Sequence, residues 1–177
     1  MTEDAAYQAT TLGEAYARIN RLPVTVLLDN VRSLYNVGAF FRTADAVRVE
    51  HILLAGITPT PEDPRIAKTA LGAERGLAWT QVADATSAID VMRASGREIA
   101  AIETSLHAVD VFDWQPVFPV CIVFGHEVDG IAPALLDRCD VHVRIPTLGM
   151  KRSINVATAG GVVLYELLRK YKNLVRP

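Results

Sequence analysis

Three polar segments of this 177-residue sequence carry side chains that could do chemistry. The first, NVRSLYNVGAFFR at 30–42, places amide and guanidinium groups and the flexible Gly38 at the start of a helical pattern, where backbone N–H groups favour anions. The second, GHEVDG at 125–130, holds Glu127 between two glycines. The third, PTLGMKRSIN at 146–155, ends with Ser153 and Asn155. Each segment follows an apolar run, so these junctions are the first place to look for a functional site.

Each segment alone also has a purely structural explanation. A carboxylate such as Glu127, placed after an apolar run, often caps a helix or accepts loop hydrogen bonds. Arg42 has Asp45 three residues on, and a surface ion pair there contributes less than about 1 kcal/mol. His126 follows an apolar run and could act as a base, but a lone histidine is more often structural, so we assign it no catalysis.

Several classes of function are disfavoured by what the sequence lacks. The glycine-rich GHEVDG has neither the Lys-Ser/Thr pair of a P-loop nor GxGxxG spacing, which argues against binding of a nucleoside triphosphate. VTVLLDNVRSLYNVG lacks the glycines of a dinucleotide-binding oxidoreductase. No Ser-His-Asp order, metal-ligand cluster or aromatic ladder occurs, so we expect no metal.

The elements that must position these segments follow from hydrophobic patterning. Runs rich in Val, Ile and Leu predict strands at 24–29, 51–56, 98–105, 120–125 and 141–145. Helical patterns lie between or after them, at 36–47, at 84–95 with Asp84 as N-cap, and at 153–170. This alternation predicts an α/β fold with a mainly parallel sheet and helices on both faces. In such sheets, ligands bind beyond the carboxyl ends of the strands.

Length and composition suit one globular domain, which we expect to span 1–177 with an N-terminal helical extension at 1–22 and a core at 23–171. The Pro-rich stretch at 58–64 is predicted to be a surface loop. A net charge of −2 gives no overall attraction to polyanions, so a local basic patch would have to bind any nucleic acid. Two isolated cysteines and the absence of a signal peptide or membrane span indicate a soluble cytoplasmic protein.

Taken together and in order, three segments resemble the motifs of SpoU/TrmH-type RNA ribose 2′-O-methyltransferases of the SPOUT superfamily. They are NVGAFFRTADA at 36–46, IVFGHEVDGIAPALL at 122–136 and IPTLGMKRSINVATAGGVVLYELL at 145–168. The matching positions are Asn36, Gly38 and Arg42, then Gly125, Glu127 and Gly130, then Pro146, Gly149, Ser153 and Asn155. The sequence departs from the pattern at His126, where Asn is common, and at Val128, where Gly is frequent.

The resemblance implies a C-terminal trefoil knot that binds S-adenosylmethionine through loop backbone. It points to Thr104, Gly125, Ile145, Ser153 and Ile154 as cofactor-binding residues. The same resemblance implies catalytic roles for Arg42, Asn36, Glu127, Ser153 and Asn155. Arg42 would act as the base or bind a substrate phosphate and polarise the 2′-hydroxyl, and Asn36 and Glu127 would position the ribose, the loop or Arg42.

The resemblance also implies structured RNA, either tRNA or rRNA, as the substrate, and a homodimer. The small residues of AGGVVLYELL would let helices approach closely at a partner's surface. We expect a minimal version of the enzyme whose few basic groups are local, including Arg18, Arg21, Lys151 and the cluster at 169–176. That cluster has an equally simple explanation as a solvated tail placed favourably for the helix dipole. The alternative function is a non-catalytic module that binds RNA or the cofactor on the same fold.

Overall fold

The computed structural model describes residues 20–175, and within them seven parallel strands form one sheet. The strands are β1 (Leu22–Asp29), β2 (Val49–Ala55), β3 (Trp79–Val82), β4 (Glu98–Ile102), β5 (Val109–Asp110), β6 (Val120–Phe124) and β7 (Val141–Arg144). Their order across the sheet is β3-β2-β1-β6-β4-β7-β5, and every pair is parallel. The predicted parallel sheet is therefore confirmed.

Helices cover both faces of the sheet. They are α1 (Leu34–Ala46), α2 (Pro64–Ala70), α3 (Ala85–Ala94), α4 (Pro133–Leu136) and α5 (Val156–Val175), with a 3₁₀ turn at Ala73–Arg75. Side chains alternate along β1, so Val26 and Leu28 lie in one core with α1, α2 and α5, and Leu27 lies in the other with α3 and α4. Each strand of the centre is buried on both sides, which explains why the strands read as continuous apolar runs.

The predicted elements are close to the observed ones, with identifiable exceptions. The strand expected at 98–105 ends at Ile102. The loop expected at 58–64 is followed directly by α2, which begins at Pro64 with Asp63 as N-cap. Asp84 caps α3 as predicted, since its Oδ1 accepts from the Ser87 N–H at 2.8 Å. Two short strands, β3 and β5, and the helices α2 and α4 were not predicted.

The predicted N-terminal helical extension lies almost entirely outside the described residues. Residues 1–19, with Arg18, and residues 176–177 at the end of the basic cluster are not described. Within the described part, β1 begins at Leu22, inside the stretch that was assigned to the extension. No helix between residues 20 and 175 is long and apolar enough to cross a membrane.

Gly38 and Gly160 allow the helices on one face to pack closely. Gly38 was expected as a flexible point at a helix start, but it lies one turn inside α1 and is buried. A Cβ there would collide with the Thr69 hydroxyl and come within 2.8 Å of the Ile66 carbonyl oxygen in α2. A Cβ on Gly160 would collide with the Phe40 ring. Both glycines are therefore required for packing α1 between α2 and α5.

Candidate active site

A cleft of about 820 Å³ opens at the carboxyl ends of β4, β6 and β7. All five residues proposed for the cofactor lie in its lining: Thr104, Gly125, Ile145, Ser153 and Ile154. Apolar walls come from Ile102, Phe124 and Val143, at or near the ends of the three strands. We call this side of the sheet, with the loops that follow β1, β4, β6 and β7, the carboxyl edge. Its position agrees with the rule that open parallel sheets bind ligands there.

Glu127 joins the loop after β6 to the start of α1. Its Oε1 accepts hydrogen bonds from the Ser33 N–H at 2.9 Å and from Asn36 Nδ2 at 3.0 Å. Its Oε2 accepts from the Arg32 N–H at 3.1 Å. Burial raises the pKa of this carboxyl, but the hydrogen bonds from Ser33, Arg32 and Asn36 outweigh burial and leave the pKa below its ordinary value. Glu127 is therefore held as a carboxylate that fixes the loop.

Asn36 and Asn155 extend this chain of hydrogen bonds to the third segment. Asn155 Nδ2 donates to Asn36 Oδ1 at 3.1 Å, across 119 residues of sequence. Asn155 Oδ1 accepts from the N–H groups of Ala157 at 2.9 Å and Thr158 at 3.2 Å, so it caps α5. This cap explains why α5 begins at Val156 rather than at 153 as expected. The three polar segments of the sequence meet at one place.

Glu103 is a site residue that the sequence analysis missed. It follows β4 directly and lines the cleft. Its Oε1 accepts from the Thr104 N–H at 2.8 Å and its Oε2 from the Ile131 N–H at 3.1 Å. A Cβ on Gly130, which has a φ of +69°, would collide with the Glu103 carboxylate. The available signal was a charged residue immediately after a buried strand, at the end where ligands bind.

Gly125 packs closely against the backbone of Gly130 in the same loop, which leaves no room for a side chain. A Cβ there would collide with the Gly130 carbonyl, so the missing side chain serves the fold of the loop as well as any ligand. Residues 126 and 130 pair as an antiparallel bridge, with His126 N–H to Gly130 O at 3.0 Å and the reverse bond at 2.9 Å. The two glycines thus let the loop fold tightly back on itself.

His126 caps this same turn. Its Nδ1 accepts from the N–H groups of Val128 at 3.3 Å and Asp129 at 3.2 Å, and lies 2.9 Å from Asp129 Oδ2. An Asn side chain makes equivalent hydrogen bonds to backbone two residues on. At the two departures from the family pattern, His126 and Val128, the loop is therefore closed by hydrogen bonds of the kind that Asn would make.

Arg42 lies apart from the cleft lining. It is exposed on α1, and its side chain makes no hydrogen bond or ion pair within residues 20–175. Ser153 lines the cleft and is exposed. The structure thus brings together Asn36, Glu127 and Asn155, and Ser153 lies with Glu127 and Asn155 in the cleft lining. Arg42, which has no side-chain partner in the described part of the chain, lies on α1 outside the lining. No group of three or more His, Cys, Asp or Glu side chains in the described part of the chain could hold a metal ion.

A parallel α/β sheet with a ligand-sized cleft at its carboxyl edge defines a class of small-molecule-binding folds. Comparison with known proteins specifies the family. The model of the SpoU rRNA Methylase family matches residues 23–165, and the chain belongs to this family. The resemblance found in the sequence is confirmed.

Three similar proteins illustrate the relationship. The tRNA (guanosine(18)-2′-O)-methyltransferase of Escherichia coli K12 is 34% identical over 167 residues, covering 89% of this chain and 71% of that protein. The 23S rRNA (uridine(2479)-2′-O)-methyltransferase of Streptomyces viridochromogenes is 31% identical over 161 residues, covering 86% and 56%. The crystal structure of an AdoMet-bound rRNA methyltransferase from Sinorhizobium meliloti aligns with a TM-score of 0.78 at 27% identity, covering 90% and 62%. The chain spans 59–61% of the length of three curated staphylococcal relatives that it matches.

Proposed function

We propose that this protein transfers a methyl group from S-adenosylmethionine to a ribose 2′-hydroxyl in structured RNA, either tRNA or rRNA. The observation that carries the proposal is the hydrogen-bonded chain Glu127–Asn36–Asn155, which draws the three family segments together beside the cleft. The relatives named above as tRNA and rRNA 2′-O-methyltransferases support the reaction and the substrate class.

The cleft suits S-adenosylmethionine by size and by lining. A volume of about 820 Å³ lies in the range of cofactor pockets. The apolar walls of Ile102, Phe124 and Ile145 fit an adenine ring, and the backbone at Thr104, Gly125 and Ile154 offers polar groups that fix its orientation. When bound, the cofactor supplies a methyl group on a sulfonium, which is electrophilic without a metal.

The residues of this chain would then position the hydroxyl and manage its charge. Glu127 is unsuited to act as a base, because both oxygens accept hydrogen bonds and its pKa is lowered. Its role is to hold the loop and Asn36, and Asn36 with Asn155 fixes the start of α5. Arg42 would bind an RNA phosphate and stabilise negative charge on the 2′-oxygen while the hydroxyl proton passes to solvent water.

The C-terminal trefoil knot belongs to this proposal. Two observations support it. Strand β7 lies between β4 and β5, although β5 precedes it in the chain by 30 residues. The buried Lys170 of α5 donates to the carbonyl oxygens of Val111 at 2.8 Å, Phe112 at 3.3 Å and Trp114, so the segment after β5 lies over the last helix.

We also propose a cytoplasmic homodimer built on one domain. Gly160 of the small-residue stretch packs inside the chain against Phe40, so a partner would meet other residues. Tyr165 of α5 is 55% exposed, and Leu148 and Met150 in the loop after β7 are fully exposed. Such apolar side chains are typical of surfaces that a second copy covers. Light scattering at micromolar concentration should give the mass of two chains, and the mass of one chain would contradict the dimer.

Incubation with methyl-labelled S-adenosylmethionine and RNA from cells that lack this protein tests the function. We expect label in 2′-O-methylated nucleosides after complete digestion and mass spectrometry. Label in a base or in protein would contradict the reaction. Binding of cofactor and RNA without transfer would instead identify a non-catalytic module.

A further inference from the structure

The cations of this protein fall into two groups according to what they touch. Away from the carboxyl edge, most arginines bind carboxylates: Arg97 pairs with Glu50 at 2.5 Å, Arg93 with Asp140 at 3.0 Å, Arg169 with Glu166 at 2.6 Å, and Arg138 with Asp90. Their charge is locally neutralised. They are therefore poorly placed to attract an external anion.

Four cations at the carboxyl edge behave differently. Arg32 follows β1, Arg144 ends β7, and Lys151 and Arg152 lie in the loop after β7. All four are exposed, and none of their side chains makes a hydrogen bond or ion pair within residues 20–175. We call them the basic rim. Arg144 and Arg152 line the cleft itself.

The carboxylates of the same edge are already engaged. Glu127 accepts from Arg32 and Ser33 backbone and from Asn36, and Glu103 accepts from the backbone of Thr104 and Ile131. The Asp129 carboxylate is largely exposed, with Oδ2 2.9 Å from His126 Nδ1. None of these three acids forms an ion pair with a cation of the basic rim within residues 20–175, so the guanidinium and ammonium groups of the rim stay available.

The backbone of Arg32, a residue of the basic rim, is hydrogen-bonded to a residue of the cleft lining. Its N–H donates to Glu127 Oε2 at 3.1 Å, and Glu127 lines the cleft. The Arg32 backbone is therefore anchored beside the cleft, just before α1, whereas Arg144 and Arg152 lie in the lining formed by β7 and its loop. Cations thus follow two different strands, β1 and β7, at this edge.

We infer that the basic rim of Arg32, Arg144, Lys151 and Arg152 is a phosphate-binding surface that engages the RNA backbone around the methylated nucleotide. The identity of the polyanion rests on the proposed function. A protein with net charge −2 cannot attract RNA through its overall field, so unpaired local cations must do so. Arg42 and Lys68, which are also unpaired within the described residues, lie on the adjacent helices α1 and α2.

The salt dependence of RNA affinity tests this inference through Arg32→Gln and Lys151→Gln, combined in one variant. Both positions lie outside the cleft lining, so the cofactor site is left unchanged. Each phosphate contact contributes about 0.7–0.9 to the slope of log affinity against log salt concentration. With unfractionated bacterial tRNA, the double variant should therefore lose roughly 1.4–1.8 of that slope. Its affinity for S-adenosylmethionine should stay within about twofold.

A matched control removes the same charge elsewhere. Arg75→Gln with Arg169→Gln changes two exposed cations that already lie near Glu74 and Glu166. This variant should retain the wild-type salt slope. Three results would each overturn the inference. They are an equal salt slope in the rim variant and the control, a loss of cofactor affinity without a change of slope, and no RNA binding by the wild type at low salt.

Ribose methylation of total RNA from cells that lack this protein, measured alongside the salt slope, separates this inference from the proposed function. Loss of slope in the rim variant with ribose methylation by the wild type supports both. Loss of slope without any methylated ribose supports the phosphate-binding rim and contradicts the methyltransferase activity. The two claims can therefore fail independently.

Discussion

The two edges of the sheet use charge in opposite ways. At the amino edge, Arg97 binds Glu50 at 2.5 Å and the Thr25 hydroxyl at 3.1 Å, and Arg21 donates to the Glu50 carbonyl at 3.2 Å. At the carboxyl edge, Glu127 is bound by backbone N–H groups and an amide. Charged groups at the amino edge therefore bind protein partners and contribute to the stability of the fold. The four cations of the basic rim at the carboxyl edge have no partner among residues 20–175 and are available to a ligand.

The largest expected effect comes from Arg42 of α1, whose side chain has no partner within residues 20–175. Arg42→Ala should lower methyl transfer by at least about 100-fold, because charge developing on the 2′-oxygen loses its partner. Affinity for S-adenosylmethionine should change only a few-fold, since Arg42 lies outside the cleft lining. Single-turnover kinetics and calorimetry measure the two effects separately.

Arg42→Lys sharpens the same test. Lysine keeps the charge but cannot make the planar two-pronged contact with a phosphate. We expect this variant to be poorly active as well. Near-normal turnover would contradict a bidentate contact.

The next effect concerns the tight loop after β6. Gly125→Ala places a methyl group against the Gly130 carbonyl, so the loop that lines the cleft must shift. Affinity for S-adenosylmethionine should fall at least about tenfold, by more than 1.4 kcal/mol of binding free energy. Gly76→Ala is the matched control, because Gly76 is exposed, lies outside the cleft lining and would bring its added Cβ no closer than 3.9 Å to Asp45 Oδ1. Equal affinities of the two folded variants would refute this account of the loop.

Arg97 tests the opposite edge. Arg97→Ala leaves Glu50 and Thr25 without their partner, and should lower the free energy of unfolding by about 1–3 kcal/mol. Cofactor affinity should stay within twofold, because none of the three residues lines the cleft. Urea unfolding measures the free energy of unfolding, and titration calorimetry measures the cofactor affinity. If Arg97→Ala lowered the free energy of cofactor binding by more than the free energy of unfolding, the two edges would not differ in role.

A smaller effect, with a defined pH dependence, is expected from Glu127→Gln. The folded protein holds the pKa of Glu127 below its ordinary value, so its stabilisation is present above about pH 4.5 and is lost as pH falls through the folded pKa. The variant should be less stable by about 1 kcal/mol at pH 7, through the lost N–H acceptor. The difference should shrink as the pH is lowered towards 3.

Glu62→Gln serves as the control for that experiment. Glu62 is exposed and receives only a 3.5 Å contact from the Thr60 hydroxyl. Its change in unfolding free energy at pH 7 should stay below about 0.5 kcal/mol. If the loss of unfolding free energy in Glu127→Gln instead grew as the pH was lowered, Glu127 would not stabilise the fold as a hydrogen-bonded carboxylate.

The sequence predicted the long buried strands and their parallel arrangement because their apolar runs are continuous on both faces. It failed for β3 and β5, which have four and two residues and exposed positions among them. Such short strands are held by pairing with β2 and β7 rather than by a pattern of their own. The same limit applies to the short helices α2 and α4, which have seven and four residues.

The site was predictable in part for a similar reason. Asn36, Glu127 and Asn155 stand in segments that the family resemblance selects. Glu103 stands outside those segments. It becomes a site residue only through the fold, which places the end of β4 beside the loop that contains Ile131, so that the Ile131 N–H donates to the Glu103 carboxylate. The unpaired state of the basic rim also depends on which carboxylates fold next to which cations. Contacts across 28 to 119 residues of sequence leave no local pattern.

Titration calorimetry of the wild-type protein with S-adenosylmethionine tests the central claim most directly, that the carboxyl edge is the ligand-binding edge of a methyltransferase. The account predicts saturable binding, without added metal, of both the cofactor and its demethylated product, and weakened binding by Gly125→Ala but not by Arg97→Ala. A flat titration with both compounds, on protein that unfolds cooperatively, would contradict it.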